Sequence, residues 1–318
     1  MPVSFATTDL LSLIAAIPLA ALGGEAFLKG VLGVSAWLRL PKLLVATTLA
    51  AFATSSPEMT VSIMAALAGK PEIGLGDALG SNVVNMALIL GLALLFGSLA
   101  ARFAELKRDF YLALAVPVLS LILAADGMLS RPEGALLLVL FMLWLILIAR
   151  QAIKHRRDTT EYSRPQDHPL RAWLFALAGL ACLILAGRLF VSGASNIAAA
   201  LGVHAYVIGA TVVAFGTSLP ELVTTLLSRL RGHDDVGLGT LLGSNLFNGL
   251  AIVGIAATIH PIQAPVSEVA VALGFGVLAV LLILPHGSAI SRLRGLILLA
   301  VYTAYVMATV AAGHAPPI

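Results

Sequence analysis

The chain has 318 residues, of which 59% are hydrophobic and 11% are charged, and its mean hydropathy is +1.00. A soluble domain carries about 25% charged residues, so this composition excludes an ordinary soluble domain and indicates an integral membrane protein. The formal net charge of +3 comes from arginines in predicted loops and does not point to nucleic acid.

Apolar runs of about 20 residues recur along the whole chain, separated by turn signals and charges, and predict ten transmembrane helices. No Lys or Arg precedes the first run, so we expect a retained helix and not a cleaved signal. The predicted helices span residues 9–29, 41–69, 73–98, 109–126, 133–152, 171–193, 203–230, 235–258, 264–285 and 291–312.

The Lys and Arg residues predict the orientation of these helices. If the N-terminus lies outside, 16 of the 19 fall on the cytoplasmic side, only Lys70 and Arg131 fall on the other, and Arg188 lies within a helix. This asymmetry follows the positive-inside rule and predicts a multi-pass protein of the cell (inner) membrane with both termini outside the cytoplasm. The polar stretch 154–170 is then predicted to be a cytoplasmic linker between residues 1–153 and 171–318.

The two halves of the chain contain an internal repeat with an offset of 163 residues. "AFATSSPE" (51–58) aligns with "AFGTSLPE" (214–221), and "GLGDALGSNVVN" (74–85) aligns with "GLGTLLGSNLFN" (237–248). Over residues 51–85, 16 of 35 positions are identical, and the matches include Pro, Glu, Ser, Asn and Gly. Chance similarity between apolar helices would not match these residue types together.

The repeat predicts the topology. Each half contains five predicted helices, an odd number, so the second half enters the membrane from the opposite side. We therefore predict an all-α integral membrane protein of ten transmembrane helices, built from two inverted-topology five-helix repeats with broken helices 2, 3, 7 and 8. This architecture is typical of secondary transporters, which bind their substrates near the middle of the membrane.

Glu58 lies deep in predicted helix two, directly after a proline. Because Pro57 cannot donate a backbone hydrogen bond, we expect the helix to break here and to free carbonyls near Ala51 and Thr54. Irregular backbone at this depth is tolerated only where it lines a cavity or contacts protein. The same pattern recurs around Glu221 in predicted helix seven.

The polar residues around the two glutamates are hard oxygen donors, which suit Na⁺ and Ca²⁺ better than transition metals. In each Gly-Ser-Asn motif, a Ser and an Asn four residues apart lie on one helical face. Asn82 and Asn245, next to these serines, can equally serve in capping or packing. The candidate ligands are Ala51, Thr54, Ser55, Glu58, Ser81, Asn85, Ala214, Thr217, Ser218, Glu221, Ser244 and Asn248.

Two carboxylates inside a membrane require positive charge nearby. Predicted helices two, three, seven and eight carry no Lys or Arg away from their ends. A carboxylate in the hydrocarbon core costs about 2.5 kcal/mol or more and typically marks an ion or proton pathway. A transported cation, or protons when no cation is bound, supplies this charge most simply. The alternative is a structural pair of protonated, hydrogen-bonded glutamates.

At these motifs the sequence resembles the sodium/calcium exchanger family, of the prokaryotic type, within the wider cation/Ca²⁺ antiporter superfamily. The resemblance covers both repeats, the ten-helix layout and the long loop between helices five and six. It implies an antiporter and not an enzyme, which expels Ca²⁺ with the Na⁺ gradient by alternating access, with helices one and six as gates. It implies no cofactor; Ca²⁺ and Na⁺ are the substrates, in membrane lipid, without nucleic acid or an obligate protein partner.

The resemblance also implies how the ligands divide. The implied assignments are Ca²⁺ at Glu58, Glu221 and the carbonyls of Thr54 and Thr217; one Na⁺ at Ala51, Ser55, Ser81 and Glu58; a second Na⁺ at Ala214, Ser218, Ser244 and Glu221; and Asn85 and Asn248 lining the middle. Many exchangers have Asp where Asn248 stands, so these assignments give the site two carboxylates and not three. Two carboxylates neutralise one Ca²⁺ or two Na⁺.

Several alternatives stay open at this point. The nearest is an H⁺-coupled Ca²⁺/cation exchanger, because two glutamates can also carry protons; a passive cation channel and an intramembrane enzyme are others. "GLGD" (74–77) is similar to a motif of intramembrane aspartyl proteases, but the chain has no Tyr-Asp pair, so Asp77 is expected near a helix end or vestibule. Glu25 and Arg188 occupy equivalent repeat positions and are predicted to form an ion pair between helices one and six.

Overall fold

A computed structural model describes residues 7–100, 103–158, 169–201, 212–264, 266–284 and 289–313, which are mostly helical. The helices before the central linker are α1 (Thr7–Leu38), α2 (Lys42–Val45), π1 (Ala46–Ala50), α3 (Ala51–Thr54), α4 (Ser56–Leu67), α5 (Pro71–Val83), π2 (Val84–Ile89), α6 (Leu90–Leu95), α7 (Phe103–Leu123) and α8 (Arg131–Asp158). The helices after it are α9 (Pro169–Ala200), α10 (Ala214–Thr217), α11 (Leu219–Leu230), α12 (Asp234–Leu246), π3 (Phe247–Ile252), α13 (Val253–Ile259), α14 (Val266–Ile283) and α15 (Arg292–Gly313).

Six helical stretches within the described residues are long and apolar enough to cross a membrane. Two of them, Pro71–Leu95 and Asp234–Ile259, have 83% of their apolar window buried, whereas the other four have 28% or less. The two buried stretches therefore form the centre of the molecule, and the others expose apolar surface that suits lipid. The four outer stretches are Thr7–Leu38, Arg131–His155, Pro169–Ala200 and Arg292–Ala311.

The two longest helices, α1 and α9, pack along each other. Glycines allow this close approach, since a Cβ on Gly30 would collide with the backbone of Ala176 and one on Gly179 with the backbone of Phe27. α1 also packs on α11. The α1–α9 pair therefore contacts the centre of the molecule through the segment that carries Glu221.

Two short antiparallel ladders connect the halves, although the sequence predicts an all-α fold. β1 (Leu99–Ala100) pairs with β4 (Ala289–Ile290), and β2 (Met128–Leu129) pairs with β3 (Ile262–Gln263). Each two-residue strand satisfies backbone groups where one helix ends and the next begins. Strands this short carry no alternating pattern, so the sequence could not predict them.

The helix ends differ from the predicted ones in several places. α1 continues to Leu38 instead of residue 29, because the residues after 29 continue the apolar pattern. α8 continues to Asp158, so the first residues of the predicted linker are helical, and residues 159–168 lie outside the described part of the chain. The start of predicted helix seven, at 203–211, also lies outside it.

Candidate cation-binding site

Each of the two central glutamates follows a one-residue break between helices. Ser55 has φ −82° and ψ 7°, and Ser218 has φ −83° and ψ 10°, so the two turns share one conformation. Glu58 and Glu221 then lie in the first turns of α4 and α11, where a helix N-terminus favours negative charge. Both are only 1% exposed. The predicted breaks before the two glutamates are therefore present.

The break frees fewer carbonyls than the proline pattern predicts. The Ala51 carbonyl accepts hydrogen bonds from Ser55 N at 3.0 Å and Thr54 Oγ1 at 3.3 Å, and the Ala214 carbonyl is engaged by the equivalent groups of the second half. The expected free carbonyl at Ala51 is thus absent from this conformation, because the chain stays helical up to the serine. After the break, the next backbone hydrogen bond runs from Met59 N to the Ser55 carbonyl. The Thr54 carbonyl therefore accepts neither this hydrogen bond nor the one that Ser55 N donates before the break.

Hydrogen bonds around the glutamates form two clusters that cross between the repeats. In the first, which we call the Glu58 cluster, Ser218 Oγ donates to Glu58 Oε1 at 3.4 Å and lies 3.3 Å from Ser81 Oγ. In the second, the Glu221 cluster, Glu221 Oε1 accepts from Ser55 Oγ at 3.2 Å and from Ser244 Oγ at 3.1 Å.

This grouping of hydrogen bonds differs from the division of ion ligands that the family resemblance implies. That division assigns Ser55 to the same site as Glu58, and Ser218 to the same site as Glu221. In the structure each of these serines contacts the glutamate of the other repeat, because the breaks of the two halves face each other across the centre. Thr54 Oγ1 follows the same rule and lies 3.4 Å from Ser244 Oγ.

The two central helices cross through a set of four asparagines. Asn82 Nδ2 donates to the Asn245 carbonyl at 3.4 Å, and Asn245 Nδ2 donates to the Asn82 carbonyl at 3.2 Å. Asn85 and Asn248 donate from Nδ2 to the side-chain oxygens of Asn245 and Asn82, both at 3.1 Å. Asn82 and Asn245 therefore pack the crossing and orient the other two amides.

Four oxygens at the centre are buried without a hydrogen-bond partner among the described residues: Glu58 Oε2, Glu221 Oε2, Asn85 Oδ1 and Asn248 Oδ1. Each belongs to a side chain whose other polar atom is already held by a neighbour. An unpaired buried acceptor is costly unless it contacts a donor, water or ion. These are oxygen ligands of the kind that Na⁺ and Ca²⁺ prefer.

Within the described parts of the chain, no fixed cation balances the two glutamates. The ion pairs recorded between described residues involve neither Glu58 nor Glu221. The predicted pair between Glu25 and Arg188 is also not formed. Glu25 pairs instead with Arg231 at 3.0 Å, because Arg231 follows the end of α11, which packs against α1.

The site is less enclosed on one side than on the other. Ala51 and Thr54 are fully buried, whereas their repeat partners Ala214 and Thr217 are only partly buried. The Glu221 cluster is therefore the closed end of the site, and the Glu58 cluster lies towards the more accessible end.

A family model described as "Sodium/calcium exchanger protein" matches residues 8–150 and 171–311. The chain belongs to the sodium/calcium exchanger family. The family's members are transporters and not enzymes, and membership supports cation/Ca²⁺ antiport by this membrane protein.

Relatives of this exchanger match most of its length. The putative antiporter CaxA of Alkalimonas amylolytica is 35% identical, covering 88% of this chain and 92% of its own. The sodium/calcium exchanger MaX1 of Methanosarcina acetivorans is 26% identical, covering 95% and 98%. The inner membrane protein YrbG of Escherichia coli is 36% identical, covering 70% and 71%.

Solved structures show the same fold. The sodium-calcium exchanger NCX_Mj, soaked with Na⁺ and Sr²⁺, superposes on this exchanger with a TM-score of 0.82 at 26% identity. The match covers 95% of this chain and 99% of that chain. The resemblance drawn from the Pro-Glu and Gly-Ser-Asn motifs is thereby confirmed.

One acidic residue lies nearer to the exchanger's site than its sequence position predicts. Asp77 is expected at a helix end or vestibule, but it lies within α5, and its Oδ2 atom is buried. The signal in the sequence is its spacing, four residues before Ser81 and eight before Asn85, which puts all three on one helical face.

Proposed function

We propose that the protein exchanges Na⁺ for Ca²⁺ by alternating access, with Ca²⁺ extrusion driven by Na⁺ entry. The observation that carries this proposal is the pair of buried carboxylates, Glu58 and Glu221, without a cationic partner among the described residues. Each has one oxygen held by a serine and the other free to bind an ion.

The proposed architecture has ten transmembrane helices in two inverted five-helix repeats. Residues 1–153 form the first repeat, residues 171–318 the second, and residues 154–170 a cytoplasmic linker, with both termini outside the cytoplasm. The matching turns at Ser55 and Ser218 support the repeat, and so does β1, whose residue numbers become those of β3 when 163 is added.

The proposed Ca²⁺ site lies between Glu58 and Glu221 and includes the carbonyls of Thr54 and Thr217. One Na⁺ binds at the Glu58 cluster near Ala214, and another at the Glu221 cluster near Ala51. This proposal keeps all the candidate ligands but divides them according to the hydrogen bonds across the repeats. Asn85 and Asn248 contribute their unpaired amide oxygens between the two clusters.

Charge balance explains why transport by this site is exchange and not leakage. Two carboxylates without counter-charge are costly in a low-dielectric interior, so the unoccupied site does not readily pass through a closed state. One Ca²⁺ or two Na⁺ balance the charges of Glu58 and Glu221. The two ions therefore compete for the same oxygens, and movement in either direction needs one or the other.

The test is ⁴⁵Ca²⁺ uptake by Na⁺-loaded proteoliposomes. We expect Glu58→Gln and Glu221→Gln each to lower the initial rate by about 100-fold or more, which corresponds to about 2.7 kcal/mol. Glu72→Gln, which removes an exposed acid at the start of α5, is the matched control and should keep the wild-type rate. Native-rate exchange by the double glutamine variant would contradict the proposal.

The same vesicles distinguish the coupling ion. With Na⁺ absent and a pH gradient imposed, a Na⁺-coupled exchanger takes up no ⁴⁵Ca²⁺ above the background of empty liposomes. Uptake that follows the pH gradient would favour the H⁺-coupled Ca²⁺/cation exchanger instead. Uptake that persists without any counter-ion would indicate a passive channel.

A further inference from the structure

Asp77 breaks the symmetry between the two repeats. Its repeat partner is Thr240, whose hydroxyl donates to the Val236 carbonyl of its own helix at 2.9 Å and carries no charge. One side of the centre therefore has a carboxylate that the other side lacks.

The hairpin of α4 and α5 places Asp77 at the depth of Glu58. Ser62 Oγ donates to the Gly74 carbonyl at 3.0 Å, and a Cβ on Gly74 would lie 2.7 Å from Ser62 Cα. The two helices run in opposite directions, so four residues back from Ser62 along α4 corresponds to four residues on from Gly74 along α5, about 6 Å of helix in each case. Residue 78 therefore lies opposite Glu58. Asp77 therefore lies beside the transport site and not at the mouth of the molecule.

A segment of the second repeat lies against the helix that carries Asp77. Its short helix α10 packs against α5, which brings the Thr217 side chain beside Asp77. Asp77 Oδ2 is buried and has no hydrogen-bond partner among the described residues.

We propose that Asp77 is a further acidic residue of the transport site, which binds a cation beside the Glu58 cluster at a position that has no equivalent beside the Glu221 cluster. This inference rests on the proposed function. We assign Asp77 to a neighbouring ion and not to the one that the glutamates share, since no three acidic side chains among the described residues are placed to hold one metal ion.

The position of Asp77 determines which transported ion it favours. With three carboxylates in mutual range, the site balances three monovalent cations, whereas one Ca²⁺ leaves a net negative charge of one. Asp77 thus favours the Na⁺-loaded state over the Ca²⁺-loaded state. This preference acts on the more accessible side of the site, where Thr217 is partly exposed. On the same side, α4 ends in a turn that contains Lys70, which we call the Lys70 turn.

The test is equilibrium ⁴⁵Ca²⁺ binding to purified protein in detergent, with Na⁺ as competitor, which needs no transport. For Asp77→Asn, we expect the Na⁺ concentration that displaces half of the Ca²⁺ to rise about tenfold, with a lower Hill slope, because one fixed negative charge is lost. Asp77→Glu keeps the charge and should keep the slope. Glu72→Gln is the matched control on the same helix and should be unchanged.

Asp77→Thr introduces the residue of the second repeat and gives a second test if the asparagine variant does not fold. If Na⁺ displaced Ca²⁺ from well-folded Asp77→Asn or Asp77→Thr protein at the wild-type concentration, the inference would be overturned. The proposed function would remain in place. A wild-type protein that binds no Ca²⁺ would overturn the proposed function, and the inference with it.

A further measurement compares the half-saturating Na⁺ concentration at the two faces of the membrane. A purely structural role of Asp77 would not change one face more than the other. In oriented vesicles, Asp77→Asn should raise the half-saturating Na⁺ concentration about tenfold at the face next to the Lys70 turn and leave the opposite face within about twofold. An equal change at both faces would overturn the asymmetric position that we assign to Asp77.

Discussion

Ser55 and Ser218 each hold the glutamate of the opposite repeat, and this exchange of partners determines how ligands group at the site. Each hydroxyl can donate one hydrogen bond while its lone pairs remain available to a cation. The serine therefore fixes one carboxylate oxygen and still serves as a ligand. A serine-to-alanine change removes both contributions at once.

The grouping predicts which serine pairs depend on each other. Ser218 and Ser81 lie 3.3 Å apart in the Glu58 cluster, whereas Ser244 belongs to the Glu221 cluster. In a double-mutant cycle on half-saturating Na⁺, we expect Ser218→Ala and Ser81→Ala to be non-additive by about 1 kcal/mol. Ser218→Ala and Ser244→Ala should be nearly additive. The reverse result would restore the grouping within each repeat.

The sequence predicts which residues form the candidate site better than it predicts which of them contact each other. Glu58, Glu221 and the serines stand out because an acid in an apolar transmembrane helix is rare outside ion and proton pathways, and here it occurs twice in the same motif. Their partners are set by how the two halves interlock, which no spacing within one half reveals. For the same reason, equivalent positions in the two repeats predict a pair between Glu25 and Arg188, whereas in the folded chain Glu25 pairs with Arg231.

At the scale of the helices, the close approach of α1 and α9 depends on residues without a side chain. We expect Gly179→Ala to force the helices apart and to lower the Tm of the detergent-solubilised protein by about 5 °C, because the new Cβ meets backbone and not a flexible side chain. The measurement is thermal unfolding followed by circular dichroism.

The matched control for this variant is Gly76→Ala. A Cβ at Gly76 meets nothing within 4 Å, so the substitution fits without displacement and should leave the Tm unchanged or slightly higher. An equal loss of Tm in both variants would show that helix propensity, and not the α1–α9 contact, is responsible.

Periodicity and proline positions predict the helices and the two breaks, but not the fine structure. The proline rule places the turns near Ser55 and Ser218, and the structure has them there. The π-helical stretches such as π1 and π2 do not follow from any local pattern.

At the scale of the whole molecule, the proposed topology predicts the side of each turn. Cys182 is the only cysteine, so Cys182→Ser gives a cysteine-free background. In that background we expect a membrane-impermeant maleimide to label Lys70→Cys in right-side-out vesicles, and to label Arg292→Cys only after permeabilisation. Both positions are exposed, so access is limited by the membrane and not by packing. Labelling of both from one side would contradict the ten-helix count.

Neither half of the chain contains a complete set of ion contacts, since each glutamate is held by a serine from the other half. A lone five-helix unit of this kind would gain those contacts only from a second copy inserted upside down. In the proposed topology, the present single chain is what gene duplication and fusion of an ancestor that inserted in both orientations would produce. Fusion would free the two units from remaining identical, so that Asp77 in one corresponds to Thr240 in the other.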